Sequence, residues 1–300
     1  MRVFEAAVAT ETSYELAEGP CWDAARGQVL WVDIEGGLVL RGRLTGDHVE
    51  VLEQHRFTGT VAAAVPTVDG GLLVTLRRGF AAISPDGTVR PGVTVLCESD
   101  DSRLNDGACD PRGRFLIGSM SLDDRTGAEK LYRLDSAGAV EAVDDGLTLA
   151  NGLGWSPDGH TMYLVDSIPG VVWARDYDPA SGAMGPRRLL LRFDDGLPDG
   201  LCVDSAGNLW VAVHGAGQVR CFDADGGPVA TVNVPAPHTT SVAFVGPARD
   251  RLLITSGRAG VSAAQLAAHP LSGRLFLADV GVTGVETAPW AGRCADVTAP

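Results

Sequence analysis

Four short signatures in this 300-residue chain join an oxygen-bearing side chain to a glycine: Glu18-Gly19, Asn105-Asp106-Gly107, Asn151-Gly152 and Asp199-Gly200. Each begins eight or nine residues before the glycine of a recurring turn, and each leads directly into an apolar stretch. Asn-Gly and Asp-Gly are favoured turn dipeptides in their own right. Glu is not a turn former, however, and no further loop separates these glycines from the strands that follow. A glycine at such a point also lets the backbone crowd a ligand, because it has no Cβ. Carboxylates that converge without a cation repel one another and bind protons more tightly, so a ring of Glu18, Asp199 and Asp106 calls for a bound positive charge. With oxygen donors alone, and no His or Cys in register, the set favours Ca²⁺, Mg²⁺ or Mn²⁺ with water completing the shell, over Zn²⁺.

The elements that position these residues are written as a repeat. A turn residue followed by a short apolar run recurs at Gly27, Gly70, Gly113, Gly159, Gly207 and Asp250, in steps of 43, 43, 46, 48 and 43 residues. Periods of this length mark repeat architectures. Within each unit, runs rich in Val, Leu, Trp and Tyr alternate with Pro-Asp-Gly, Ser-Ala-Gly or Asp-Gly-Gly turns, the pattern of meandering antiparallel strands. The central runs are apolar on both faces and so need cover on both sides, as in small sheets stacked radially. Six units make a six-bladed β-propeller, an all-β fold with the oxygen ring at the mouth of the central channel. A solenoid would need polar capping units, and neither terminal unit differs from the rest. Residues 1–300 are therefore expected to form one domain, its last blade completed by the N-terminal segment Val3 to Ala9 beside Leu275 to Val280. Helix is confined to Val261 to Ala268, stopped by Pro270. The two units without a carboxylate or amide at the ring offer Thr60-Val61-Ala62 and Thr239-Thr240-Ser241.

A formal net charge of −14 argues against nucleic acid and anionic membrane surfaces as partners. No apolar run approaches the roughly 18 to 20 residues of a membrane span, and the first eleven residues do not read as a signal peptide, so a cytoplasmic location is expected. The six cysteines never form C-x-x-C and read as buried, reduced thiols. His48, His55, His160 and His269 lie in turns or at strand edges, whereas His214 and His238 could face the mouth. No G-x-S-x-G, P-loop or post-strand G-x-G-x-x-G appears, which leaves serine-hydrolase and nucleotide chemistry without support.

At these residues the chain resembles the SMP-30/gluconolactonase/LRE (regucalcin-like) family over nearly its whole length. The resemblance is carried by Glu18-Gly19-Pro20 with Trp31-Val32-Asp33-Ile34, by Arg103-Leu104-Asn105-Asp106-Gly107 with Asp110-Pro111-Arg112-Gly113-Arg114, and by Asn151-Gly152-Leu153-Gly154-Trp155-Ser156. Pro198-Asp199-Gly200-Leu201-Cys202-Val203-Asp204, Gly207-Asn208-Leu209-Trp210-Val211-Ala212 and Leu271-Ser272-Gly273-Arg274-Leu275-Phe276 add to it. It implies a six-bladed propeller with one divalent metal, Ca²⁺ first and Zn²⁺, Mg²⁺ or Mn²⁺ as alternatives, held by Glu18, Asn151 and Asp199. It also implies that Arg103 and Asn105 hold substrate hydroxyls, where spacing alone points to Asp106. An acidic substrate contact is implied after Gly118-Ser119-Met120, and its counterpart among Ser121-Leu122-Asp123-Asp124 stays open.

The resulting expectation is a metal-dependent lactonase that opens an aldonolactone to the aldonic acid. Asp199 would orient or deprotonate the attacking water, and the chain would work as a monomer or small homo-oligomer on a small-molecule sugar lactone. Arg103 has a plainer reading as a surface ion pair with Asp100 or Asp101. The competing functions are a non-enzymatic calcium- or ligand-binding propeller and an ester or phosphotriester hydrolase on the same scaffold.

Overall fold

Every marker glycine lies in or beside the tight hairpin that joins the first two strands of a four-stranded unit. The computed structural model describes residues 1–297, so the last three residues of the expected 1–300 domain lie outside the described residues. Among the described residues there are six antiparallel meanders arranged as the blades of a propeller. Their innermost strands are Ala17–Asp23, Val61–Pro66, Ser102–Cys109, Ala150–Trp155, Leu197–Val203 and Thr239–Val245, numbered here as blades 1 to 6. The hairpin turns are held by buried aspartates. Asp110 accepts from the Arg112 and Arg114 backbone N–H groups at 2.8 and 2.9 Å, and Asp204 accepts from the Ala206 and Asn208 N–H groups and the Trp210 indole.

Alternation along the second strand of each blade explains why these runs are apolar throughout. In Gln28–Asp33, Leu30 and Val32 pack against blade 2 while Val29 and Trp31 pack against blade 6. In Thr161–Asp166, Met162 and Leu164 face blade 3 while Tyr163 and Val165 face blade 5. Successive side chains of a strand point to opposite faces, so a sheet covered on both sides must be apolar at every position. One apolar cluster fills each interface between neighbouring blades, including that between blades 6 and 1, which closes the ring.

The N-terminal segment is shared between two blades. Arg2–Glu5 runs parallel to the outer strand of blade 5, Pro228–Asn233. Ala7–Val8 then crosses to blade 6 and pairs with Phe276–Ala278, with Ala7 opposite Leu277. The expected placement of all of Val3 to Ala9 on the last blade therefore applies only to its second half. The outer strand of blade 5 leaves an edge beside the chain's path, and a parallel strand fills it. The helix Ala263–Ala268 is an insertion in blade 6, opened by a capping box between Ser262 and Gln265. Residues beyond Val280 pass under the far end of the channel, where the fully buried Trp290 donates to the Asp135 carbonyl at 3.2 Å. Among the described residues no helix is long and apolar enough to cross a membrane.

Candidate functional site

Each inner strand is one residue too long for its neighbour, at the same level in all six blades. From Glu18 to Cys21 the inner strand of blade 1 advances three residues while its partner advances two, from Val32 to Leu30. The same irregularity falls between Leu104 and Gly107, Ala150 and Leu153, Pro198 and Leu201, Thr239 and Val242, and Val61 and Ala63. A bulge of this kind leaves the extra residue unpaired and re-aims the local side chain. Glu18, Asn105, Asn151 and Asp199 stand at these bulges, and all four are buried.

Two of the glycines after them, Gly152 and Gly200, serve the packing of the blades. A Cβ on Gly200 would lie 2.0 Å from the Ser241 Oγ, and one on Gly152 would lie 2.6 Å from the Asp199 carbonyl oxygen. At Gly152 and Gly200 neighbouring inner strands thus approach so closely that only glycine fits, whereas a Cβ on Gly107 would meet Phe115, Leu116 and Ile117 of its own blade, and Gly19 has open space around it and a φ of +53°.

The side chains are joined in one directional line of hydrogen bonds. Arg103 Nη1 donates to Asn105 Oδ1 at 2.6 Å, Asn105 Nδ2 to Asn151 Oδ1 at 2.8 Å, and Asn151 Nδ2 to Ser167 Oγ at 2.9 Å. Ser167 in turn donates to the Pro198 carbonyl at 2.6 Å, immediately before Asp199. Because an arginine can only donate and a carbonyl can only accept, the two ends fix which atom of each amide is oxygen. Asn151 Oδ1 is left with a second lone pair. The segments leading into Glu18 and Asn151 are anchored alike: Asp33 accepts from the N–H groups of Glu15 and Leu16, and Asp166 from those of Thr148 and Leu149.

Electrostatically the site is short of positive charge. Burial, then repulsion from Asp199 and Asp106, pushes the Glu18 carboxyl well above the ordinary carboxylate range. Burial, then repulsion from Asp106, does the same to Asp199. Asp106 is raised to about 6, mainly by burial. Burial lowers the Arg103 guanidinium, against the attraction of Glu35, Glu18 and Asp199. Among the described residues neither Glu18 nor Asp199 is in an ion pair, and each accepts the backbone N–H of the glycine that follows it. Two buried carboxyls in no ion pair, together with an amide oxygen that keeps a free lone pair, are a donor set that fits a hard divalent cation.

Arg103 is buried and bonded to Asn105 and the Leu104 carbonyl, so the surface ion pair with Asp100 or Asp101 does not form. Asn105 belongs to the hydrogen-bonded line, whereas Asp106 borders a cavity of about 910 Å³ that fills the rest of the channel toward the far face. Cys21, Cys109 and Cys202 line that cavity. All six cysteines are free, but only Cys109, Cys221 and Cys294 are buried as expected; Cys21 and Cys202, at the cavity, are half-buried, and Cys97 is exposed in the loop before blade 3. Thr240 and Ser241 are buried at the axis, where Thr240 donates to the Ala17 carbonyl at 2.6 Å. Asp123 lies in an exposed turn and pairs with Arg125 at 2.6 Å, and the residue opposite Arg103 is Met120. His214 and His238 stack with ring centroids 4.1 Å apart on the mouth side of blades 5 and 6. Ser167 was not singled out by sequence, where it is only the residue after the strand-ending Asp166.

Comparison with known proteins agrees with this architecture. The SMP-30/Gluconolactonase/LRE-like region matches residues 16–258. Regucalcin of Danio rerio is 34% identical over 287 residues, covering 93% of this chain and 95% of its own length. Pentonolactonase XacC of Haloferax volcanii is 34% identical over 281 residues, covering 91% and 94%. The crystal structure of a calcium-binding protein, regucalcin, from Agrobacterium tumefaciens superposes with a TM-score of 0.90 at 28% identity, over 97% of this chain and 99% of that one. The chain thus belongs to the SMP-30/gluconolactonase/LRE-like family and has its six-bladed propeller.

Proposed function

We propose that this chain is a divalent-metal-dependent sugar lactone hydrolase that opens an aldonolactone to its aldonic acid. The observation that supports the proposal is the hydrogen-bonded line Arg103–Asn105–Asn151–Ser167, which ties the pair proposed to hold hydroxyls to the Asn151 amide oxygen, in a site where Glu18 and Asp199 are buried and in no ion pair. The lactonase names among its relatives support the same class. Glu18, Asn151 and Asp199 would hold the ion, Ca²⁺ in the first instance. When bound, such an ion supplies Lewis acidity toward a carbonyl oxygen.

The remaining work falls to the chain's own groups. Arg103 uses Nη1 on Asn105 and Leu104, which leaves Nε and Nη2 to donate to ring hydroxyls. Asn105 Oδ1 keeps one lone pair for a hydroxyl proton. Held on this side, the lactone is fixed in orientation before reaction. Asp199 accepts a proton from the attacking water as its oxygen bonds to the carbonyl carbon. That proton passes to the ring oxygen as the ring C–O bond breaks, giving the hydroxy acid. The chain would act as one unit over residues 1–300, in the cytoplasm, on a freely diffusing small molecule.

The test is a rate survey of gluconic, galactonic, arabinonic and xylonic lactones alongside an aryl ester and an organophosphate, before and after chelation. Opening of at least one aldonolactone, abolished by chelation and restored by a divalent ion, is the expected result. No acceleration of any lactone with metal bound would overturn the proposal in favour of a binding propeller.

A further inference from the structure

Across the mouth from Arg103 and Asn105, where blades 5 and 6 meet, the rings of His214 and His238 stack with centroids 4.1 Å apart and planes at 33°. His214 lies opposite Leu197, two residues before Asp199. His238 lies two residues before Thr240, whose hydroxyl donates to the carbonyl of Ala17, the residue before Glu18. The pair therefore stands one strand step, about 7 Å, to the mouth side of the ring. Stacked rings turn their edges, and so their nitrogens, toward the surroundings and not toward each other. Among the described residues no ring nitrogen of either histidine has a hydrogen-bond partner, both side chains are half-buried, and His238 Nδ1 is fully enclosed. A desolvated polar atom without a partner is costly, and native structures leave few of them. Burial lowers His214 to about 4 and lowers His238 as well, so both rings are neutral near pH 7. A neutral imidazole has one donor and one acceptor nitrogen, the complement of a hydroxyl group, which accepts and donates. A carboxylate only accepts and would leave the acceptor nitrogen unpaired.

The connectivity of a lactone decides which hydroxyl reaches them. The carbonyl carbon of an aldonolactone is flanked on one side by C2 with its hydroxyl and on the other by the ring oxygen. With the carbonyl over Glu18, Asn151 and Asp199, and the C2 and C3 hydroxyls held by Arg103 and Asn105 on blade 3, the ring oxygen lies on the opposite side. The carbon bonded to that oxygen carries the exocyclic chain, which then meets blades 5 and 6. We propose that His214 and His238 form a second hydroxyl-binding subsite that takes the exocyclic hydroxyls, so that hexonolactones are preferred to the pentonolactones that lack one carbon and its hydroxyl. This rests on the lactonase reading above and narrows its substrate class.

The experiment compares pairs of the same ring configuration that differ by one exocyclic carbon and its hydroxyl: D-glucono- against D-xylono-1,5-lactone, and D-galactono- against L-arabinono-1,4-lactone. It reads the ratio of kcat/KM within each pair, above spontaneous opening, which does not depend on the fraction of protein folded. The metal-loaded wild type should favour the hexonolactone of at least one pair by about tenfold, the scale of one hydrogen bond in a partly desolvated site. At least one of His214→Phe and His238→Phe, which keep a stacked ring but remove its nitrogens, should bring that ratio to about threefold or less. His48→Phe, at an exposed histidine on the outer strand of blade 1, should leave it unchanged. A wild-type ratio below about threefold in both pairs, a ratio unmoved in both stack variants, or a ratio that falls as far in His48→Phe would overturn the inference while leaving the lactonase reading in place. Failure to open any of the four lactones, with the aldonolactones of the wider survey also inert, would overturn both.

Discussion

Asn105 Nδ2 donates to Asn151 Oδ1 across the boundary of blades 3 and 4, at 2.8 Å. This bond couples the residue proposed to hold substrate hydroxyls to the one proposed to hold the ion, and it turns the Asn151 oxygen away from Ser167. Asn105→Ala should therefore affect both functions. KM for an aldonolactone should rise, and divalent-cation affinity should fall by about tenfold, the scale of a lost partner behind a ligand. Calorimetry and initial rates on the same preparation check this.

Ser167→Ala removes the acceptor of the Asn151 N–H and the donor to the Pro198 carbonyl, both buried. Leaving such groups unpaired costs about 1–3 kcal/mol. The variant should unfold at lower denaturant concentration and bind the cation about tenfold more weakly, without any change in Arg103, the residue proposed to hold substrate hydroxyls. A chemical denaturation series with and without Ca²⁺ measures both effects.

Asp199→Asn should stay folded and lose metal-dependent lactone opening by at least about a hundredfold, as the proposed proton transfer requires. Its metal-free form should be no less stable than the wild type, because one of two mutually repelling buried carboxyls is gone. Thermal melting and rate assays separate the two outcomes, and full turnover in the variant would remove Asp199 from the mechanism.

Stability of the metal-free protein should depend on pH with a definite sign. Glu18, Asp106 and Asp199 all bind protons more tightly in the folded chain than in the unfolded one. The folded state then holds more protons between the two sets of values, so their contribution is fully present below about pH 4 and is lost as pH rises through about 6 and beyond. Melting temperature with chelator should fall from pH 5 to pH 8, and a saturating divalent ion should flatten that slope. An unchanged slope with ion would contradict the assigned ligands.

The N-terminal eight residues pair with two blades at once. Their deletion should lower the melting temperature by several degrees and expose the edge at Phe276–Ala278, which invites self-association. Size-exclusion chromatography beside thermal melting reads both.

Much of this is legible in the sequence alone. The turn residues Gly27 to Asp250 marked the blades because a hairpin glycine and a doubly covered strand leave a local imprint. Glu18, Asn151 and Asp199 stand out, together with Asn105-Asp106, because the same strand position recurs around the ring; the family resemblance, not the spacing, marks the three as expected ligands. Ser167 and the direction of the amides were not legible, since they depend on contacts between blades 31 to 46 residues apart in sequence. Spacing favoured Asp106 over Asn105 because a bulge places both between the same two ladder pairs, Leu104 with Ser119 and Gly107 with Ile117. Only the hydrogen bonds of Asn105 tell them apart. The split of the N-terminal segment escaped notice because the edge it fills belongs to blade 5, whose own four strands already looked complete.

The most direct test is a calorimetric titration of the chelated protein with Ca²⁺ or Mn²⁺, for the wild type and for Glu18→Gln, Asn151→Ala and Asp199→Asn. One ion per chain in the wild type, with binding weakened at least tenfold in each variant, is the predicted result. Unchanged stoichiometry and affinity in all three variants would contradict it.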